Sequence, residues 1–233
     1  MPRKKAHTIN RLKKPLSESE HGTIFFYMPN VKPYGVFCQC YPSSIEIPTT
    51  SLHFLTTDSP PSTSKLTSSH ILASYAPTLT LTCAEQSYMF SKALYFHDTD
   101  MCRRILASSD AKEQKKLGQR IASCSQDHWD VVKSRICKVS NWYKFTDPRN
   151  KCMKDILLGT GKRDLAEAAR RDRVWGIRYN EGEAESFRGL WGENLLGNAV
   201  MCARERIRGF EEGREEWDRI ALGEWDGEVD KDV

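Results

Sequence analysis

The chain has 233 residues, 39% of them hydrophobic and 28% charged, with a formal net charge of +4. That composition supplies one substantial domain with an adequate core, or a domain with tails. No apolar run approaches the ~20 residues of a membrane-spanning helix, and the basic opening MPRKKAHTINRLKK leads into no apolar stretch of the secretory kind. The expected location is therefore intracellular, in the cytoplasm with the nucleus as alternative.

Residues 1–21 read as a disordered basic leader that holds much of the excess charge (Arg3, Lys4, Lys5, Arg11, Lys13, Lys14). A nuclear-import signal or a contact to nucleic acid are the functional alternatives for such a run. GTIFFYM, from Gly22, predicts a first strand. Pro29, Pro33 and Gly35 mark a turn, and VFCQCYP is expected to return as a second extended segment ending at Pro42. Residues 43–76 are rich in Ser, Thr and Pro and read as an insertion loop with no packed core of its own. A loop that long in a compact domain is expected to be functional or disordered.

In TLTLTCAEQSYMFSK, Thr78 to Lys92, the period changes. Leu79 and Leu81 alternate with threonines as in a half-buried strand, and from Ala84 onward the spacing is helical. Glu85, Tyr88, Met89 and Lys92 then share one face, a carboxylate and an ammonium at either end of an apolar, aromatic stripe. That stripe is a candidate pocket wall. The competing reading makes Thr82 and Glu85 a capping box and lays Lys92 along the helix with its head in water.

Further helices are predicted over 110–122, over 126–145 (Trp129, Val132, Ile136, Val139 and Tyr143 on one face), over 148–158, and over 192–209 with Leu195, Leu196, Ala199, Val200, Ala203 and Ile207 as its stripe. LAEAA, Leu165 to Ala169, is compatible with helix or strand, and VWGIRY, Val174 to Tyr179, reads as a strand. A domain over 22–209 and an acidic tail over 210–233 complete a helix-dominated α+β chain with a small sheet.

Several chemistries are absent from the pattern. The eight cysteines form no C-x-x-C pair and no zinc-type Cys/His spacing, so they read as free thiols and no metal is assigned. LLGTGKRD fails as a phosphate-binding loop, because Ile156 and Arg163 stand where glycine and Ser/Thr are required. HDTD, His97 to Asp100, offers no coherent ligand set and fits a helix end or loop.

Four segments in order resemble the NADAR (YbiA-like) family: Gly35–Pro42 after an aromatic strand; Ala84-Glu85-Gln86-Ser87-Tyr88 with Lys92; Leu117-Gly118 with Trp129, Val132, Lys144 and Phe145; and Asp172 to Ile177 followed by Trp191 to Gly197, Met201 and Arg204. The resemblance spans residues 25–208. Three positions differ from the usual pattern: Cys40 stands where an aromatic is common, Gln119 where an arginine often follows the glycine, and Arg178 where glycine commonly follows WGI. Arg120 is the candidate replacement for the arginine missing at 119.

The resemblance implies a YbiA-like fold and hydrolysis of an N-glycosidic bond in a phosphorylated riboside or an ADP-ribosyl adduct, such as a riboflavin-pathway intermediate or ADP-ribosylated guanine. A non-catalytic NAD- or ADP-ribose-binding module is the alternative. On this reading Glu85 and Asp172 are the catalytic carboxylates, facing an oxocarbenium-like transition state and the attacking water. Trp175 would supply a flat surface for the base, with Trp191 as a second candidate, Lys92 would hold the phosphate, and Tyr88, Gly176, Gly192, Asn194, Gln39 and Arg120 would complete the substrate site. Gly192 and Asn194 are expected to begin the last helix and offer it to an anion, with tight helix packing as the alternative. No cofactor is implied. The expected partner is the small-molecule riboside or adduct, with nucleic acid as a further partner through the basic leader, and no membrane.

Overall fold

The computed structural model describes residues 22–61, 66–121 and 124–214. The leader expected over 1–21 and the acidic tail beyond 214 lie outside the described residues.

Strand β1 (Thr23–Phe26) runs parallel to β4 (Asp164–Glu167), and β2 (Ile45–Pro48) runs antiparallel to β3 (Thr78–Leu81). These are two separate two-stranded sheets rather than the single sheet expected. Around them pack short helices α1 (Phe54–Thr57) and α2 (Ser68–Ala73), then α3 (Ala84–Tyr95), α4 (Thr99–Ala107), α5 (Ala111–Gln119), α6 (Gln126–Thr146), α7 (Lys151–Leu158), α8 (Glu181–Ala184) and α9 (Leu195–Glu211). The predominantly helical α+β class therefore holds. Helices α3, α6 and α9 pack in series, and α9 also lies against β4, so one core joins both sheets.

Three expectations need correction. Residues 43–76 are not a coreless loop. Ile45 and Ile47 face Leu81 and Leu79 across the β2–β3 ladder, and all four are buried together with Leu52, Leu55, Ile71 and Leu72. The alternation of Ile45 and Ile47 about exposed Glu46 was the signal, masked by the surrounding Ser, Thr and Pro. The Val36–Pro42 stretch forms no strand: Tyr34–Phe37 is a short 3-10 helix, and the strip after it directs its carbonyls to other partners. Cys38 O accepts from Lys144 Nζ at 2.9 Å and Gln39 O from Glu85 N at 3.0 Å.

VWGIRY also forms no ladder. Val174 O and Trp175 O accept the first N–H groups of α9, from Leu195 and Leu196, while Ile177 bridges Glu167 and Gly192. LAEAA, by contrast, resolves into β4. Helix α4 was not anticipated; Asp98 of the HDTD stretch caps it by accepting from Met101 N at 3.0 Å, which is the helix-end role expected there.

Burial of the 43–76 segment can be checked directly. Ile47→Ala should destabilise the domain by about 2–5 kcal/mol, read as a lower urea midpoint; an unchanged midpoint would return this segment to the periphery.

Candidate active site

A cavity of about 400 Å³ opens between the strip Cys38–Cys40, the first turns of α3, the end of β4, the loop at Asp172–Trp175 and the first turns of α5. That size falls within the range of small-molecule sites. It gathers Glu85, Tyr88, Gln39, Asp172 and Trp175 of the expected site residues, and adds Glu167, Cys40, Lys112 and Lys115.

Glu85 does not cap its helix. The N-cap position is Cys83, and Gln86 Oε1 instead receives Thr82 N at 2.8 Å and Thr82 Oγ1 at 3.0 Å. Relieved of that duty, Glu85 is 9% exposed and its Oε1 is buried with no hydrogen-bond partner. Burial pushes its pKa up, and the Lys115 ammonium opposes this in part. Gln39 Oε1 is also buried and unpartnered, while its Nε2 leans on Cys137 Sγ at 3.5 Å. The Tyr88 hydroxyl is a third such atom in the lining; buried polar atoms are nearly always paired, so three orphaned oxygens around one hollow mark a place prepared for a ligand.

Glu167, at the end of β4, is the carboxylate that the sequence reading missed. Burial, and next the charge of Asp172, raise its pKa to about 7, with Lys115 opposing and Glu85 adding. No motif announces it: LAEAA is unremarkable until β4 pairs with β1 and aligns Glu167 with Phe26. Asp172 lines the cavity too, but its Oδ1 accepts from Val174 N at 2.9 Å and Trp175 N at 2.8 Å. One of its oxygens is thus engaged in holding the Trp175 loop.

The aromatic wall runs Trp175–Tyr88–Trp129, with edge-on contacts of 5.0 and 5.2 Å between ring centres. Lys92 does not reach the cavity lining; its Nζ sits 5.4 Å from the centre of the Trp129 ring. The reason is helical geometry: at seven residues from Glu85 it lies two turns away, beyond the aromatic rings. Beneath the strip, Lys144 is fully buried, and that burial pulls its pKa down to about 8.

Other expected site residues serve packing. A Cβ on Gly192 would meet Arg173 O and Gly176 O, so close backbone approach explains it, and Gly176 is crowded by Ala169 and Glu167 O. Gly192 also precedes α9, which begins at Leu195. Asn194 takes a left-handed conformation (φ 52°), where its Oδ1 accepts from Glu167 N at 3.0 Å and its Nδ2 donates to Leu165 O at 2.9 Å. Its side chain clamps β4 and is not offered to an anion. Arg120 is exposed past the end of α5 and outside the lining. Trp191, whose Nε1 donates to Ala184 O at 2.8 Å, belongs to a small separate cluster with Ala166, Ile177 and Ala184.

A family profile for the NADAR domain matches residues 25–208. The chain belongs to the NADAR domain family. This NADAR domain is 35% identical over 124 residues to an N-glycosidase of Acanthamoeba polyphaga mimivirus, an alignment that covers 52% of the chain and 72% of the relative. It is 26% identical over 186 residues to an N-glycosidase of Nostoc punctiforme, covering 80% and 93% respectively. The NMR structure of the Escherichia coli protein YbiA matches the fold with a TM-score of 0.55 at 19% identity, over 83% of this NADAR domain and 89% of that chain. The YbiA-like fold is thereby borne out, and the enzyme class expected from the sequence agrees with the names of both relatives. Among the described residues no helix is long and apolar enough to cross a membrane.

Arg178, where the resemblance led glycine to be expected, lies outside the cavity lining and is exposed with φ 75°. Glycine would suit this backbone conformation, since a side chain in the left-handed region costs roughly 1–2 kcal/mol. Arg178→Gly in this NADAR domain should raise stability by up to about 1 kcal/mol, the relief being partly offset by glycine's greater chain entropy; a lower thermal midpoint would contradict that account.

Glu167 yields a pH signature. A carboxyl whose folded pKa lies near 7 instead of 4.5 favours the fold fully below pH 4.5, and that contribution is lost as pH rises through 7. Wild type should therefore lose about 2–3 kcal/mol between pH 4.5 and 7.5 relative to Glu167→Gln. Parallel stability curves for the two proteins would show that Glu167 titrates normally.

Proposed function

We propose that the chain is a hydrolase that cleaves the N-glycosidic bond of a phosphorylated riboside or an ADP-ribosyl adduct. The observation that carries this reading is the unpartnered Oε1 of Glu85, buried in the wall of a nucleoside-sized cavity beside Trp175 and Tyr88. A carboxylate is withdrawn from water at a cost of several kcal/mol when it lacks a partner. A cation arising at the sugar carbon is the partner that the reaction provides.

In this mechanism the base stacks against the Trp175–Tyr88 wall, and stacking of this kind contributes about 1–3 kcal/mol per base. As the bond from the anomeric carbon to the base nitrogen breaks, positive charge spreads over that carbon and the ring oxygen. Burial disfavours the ionised form of Glu85 in the empty site, and the cation growing at the sugar restores it; in that form Glu85 stabilises the charge and accepts a proton from the incoming water, whose oxygen bonds to the anomeric carbon. The departing nitrogen needs a proton. Glu167, with its pKa near 7, holds one over a substantial part of the population at neutral pH and is the general acid. The two carboxyls sit in different surroundings: Glu85 is buried in the first turn of α3, and Glu167 ends a strand beside the charge of Asp172. Asp172 is reassigned from catalysis to positioning, since it grips the backbone of Trp175.

Glu85→Gln keeps shape and hydrogen-bonding capacity but removes the charge. Turnover of a riboside, followed as free base by mass detection, should fall at least ~100-fold, while ligand binding persists within a few fold. Unchanged hydrolysis in that variant would overturn the mechanism, and wild-type binding without turnover on a panel of ribosides and ADP-ribosylated guanine would favour the binding-module alternative.

A further inference from the structure

We propose that Gln39 and Tyr88 join Glu85 in holding the water that attacks the sugar, so that both residues act on the nucleophile rather than on the substrate. The inference rests on the glycosidase reading and specifies how its second reactant is placed.

Backbone and helix geometry bring the trio together. Gln39 O accepts from Glu85 N at 3.0 Å, which fixes Gln39 beside the first turn of α3. Tyr88 stands three positions after Glu85, on the same face of that helix. All three residues line the cavity, and each has a buried oxygen without a hydrogen-bond partner among the described residues: Glu85 Oε1, Gln39 Oε1 and the Tyr88 hydroxyl. Ser91 Oγ and Asn141 Oδ1 are unpartnered in the same sense, but neither residue belongs to the lining.

The three atoms are complementary to one small molecule. An ionised carboxylate oxygen and an amide oxygen can only accept. The Gln39 amide turns its Nε2 to Cys137 Sγ at 3.5 Å, which leaves the oxygen for the cavity. The Tyr88 hydroxyl is the donor: burial pushes its pKa up, so it keeps its proton. The rings of Trp129 and Trp175, edge-on at 5.2 and 5.0 Å, fix where it points. Water has two protons and two lone pairs. Its protons go to Glu85 and Gln39, one lone pair takes the Tyr88 proton, and the other is left for the anomeric carbon. A sugar hydroxyl carries a single proton and could serve only one of the two acceptors. Buried waters typically make ~3 hydrogen bonds to polar groups otherwise unsatisfied, the number offered here. As the oxygen bonds to the anomeric carbon, Glu85 takes one water proton, and the carbon–nitrogen pair leaves with the base, which Glu167 protonates from another wall.

The test is Tyr88→Phe and Gln39→Met, assayed on the riboside that wild type turns over fastest, with and without added methanol. Each change should lower kcat at least ~10-fold and leave KM within a few fold. Methyl riboside should then form beside free ribose in a larger share than wild type allows, because the cradle no longer selects water over methanol. The urea midpoint of Tyr88→Phe should hold or rise, since its hydroxyl has no partner to lose. A tyrosine that serves only the fold would instead lower the midpoint. A substrate contact would raise KM and leave the methanol share unchanged. Either pattern overturns the water site, as does full activity in both variants, which would leave the glycosidase reading intact. A crystal structure of wild type should show one water within about 3 Å of all three oxygens, and a site without it would be overturned whatever the kinetics. Wild type that hydrolyses no riboside would overturn the glycosidase reading itself, and the role of that water as nucleophile with it.

Discussion

Helix α3 has water on almost none of its sides: eleven of its twelve residues are buried, with α4, α5 and α6 packed around it. A helix so enclosed must settle every polar group that it carries against protein. Gln86 does so through Thr82 on one side and the carbonyls of Ile105 and Ser108 on the other, and Ser87 through Ser140 at 2.7 Å. Glu85 does not, and the surrounding fold is what keeps its carboxyl from finding solvent. The organisation of the cavity follows from that one enclosed acid.

The elements that frame the hollow come from distant stretches and are fastened by backbone groups more than by side-chain pairs. Gln39 O takes the Glu85 N–H, Lys144 holds the Cys38 carbonyl, and Asn194 holds the Leu165 carbonyl and the Glu167 N–H on either side of Ala166 in β4. Irregular backbone here is held in place, because the carbonyls of Cys38, Gln39, Arg173, Val174 and Trp175 have partners elsewhere. The lining carries both signs of charge, the acids Glu85, Glu167 and Asp172 and the lysines Lys112 and Lys115 of α5, and Lys115 acts on Glu85 and Glu167 alike.

Much of this was legible in the chain. The change of period at Cys83 located β3 and α3, and the apolar spacing in α6 and α9 placed the core correctly. Glu85, Tyr88, Gln39, Asp172 and Trp175 were named from the sequence and share the cavity. What was not legible depended on pairing across long separations. Glu167 gains its surroundings only when β4 joins β1, and β2 is recognised only beside β3. Lys112 and Lys115 look like any solvated pair until α5 is set against α3. The reading of Gly192 and Asn194 as an anion site supposed free N–H groups at the start of α9, and those of Leu195 and Leu196 are taken by Val174 O and Trp175 O from a distant loop, which spacing alone does not reveal.

One consequence concerns how such a protein comes into being. Strands β1 and β4 stand near opposite ends of the described domain, yet they pair in register from Thr23 with Asp164 to Phe26 with Glu167. A parallel pair closed over so much chain pays its loop entropy before the contact rewards it. On the ribosome, the first strand must wait for its mate until most of the polypeptide has emerged. The hollow is thus among the last features to take shape, and no early fragment of the chain can own a working half of it.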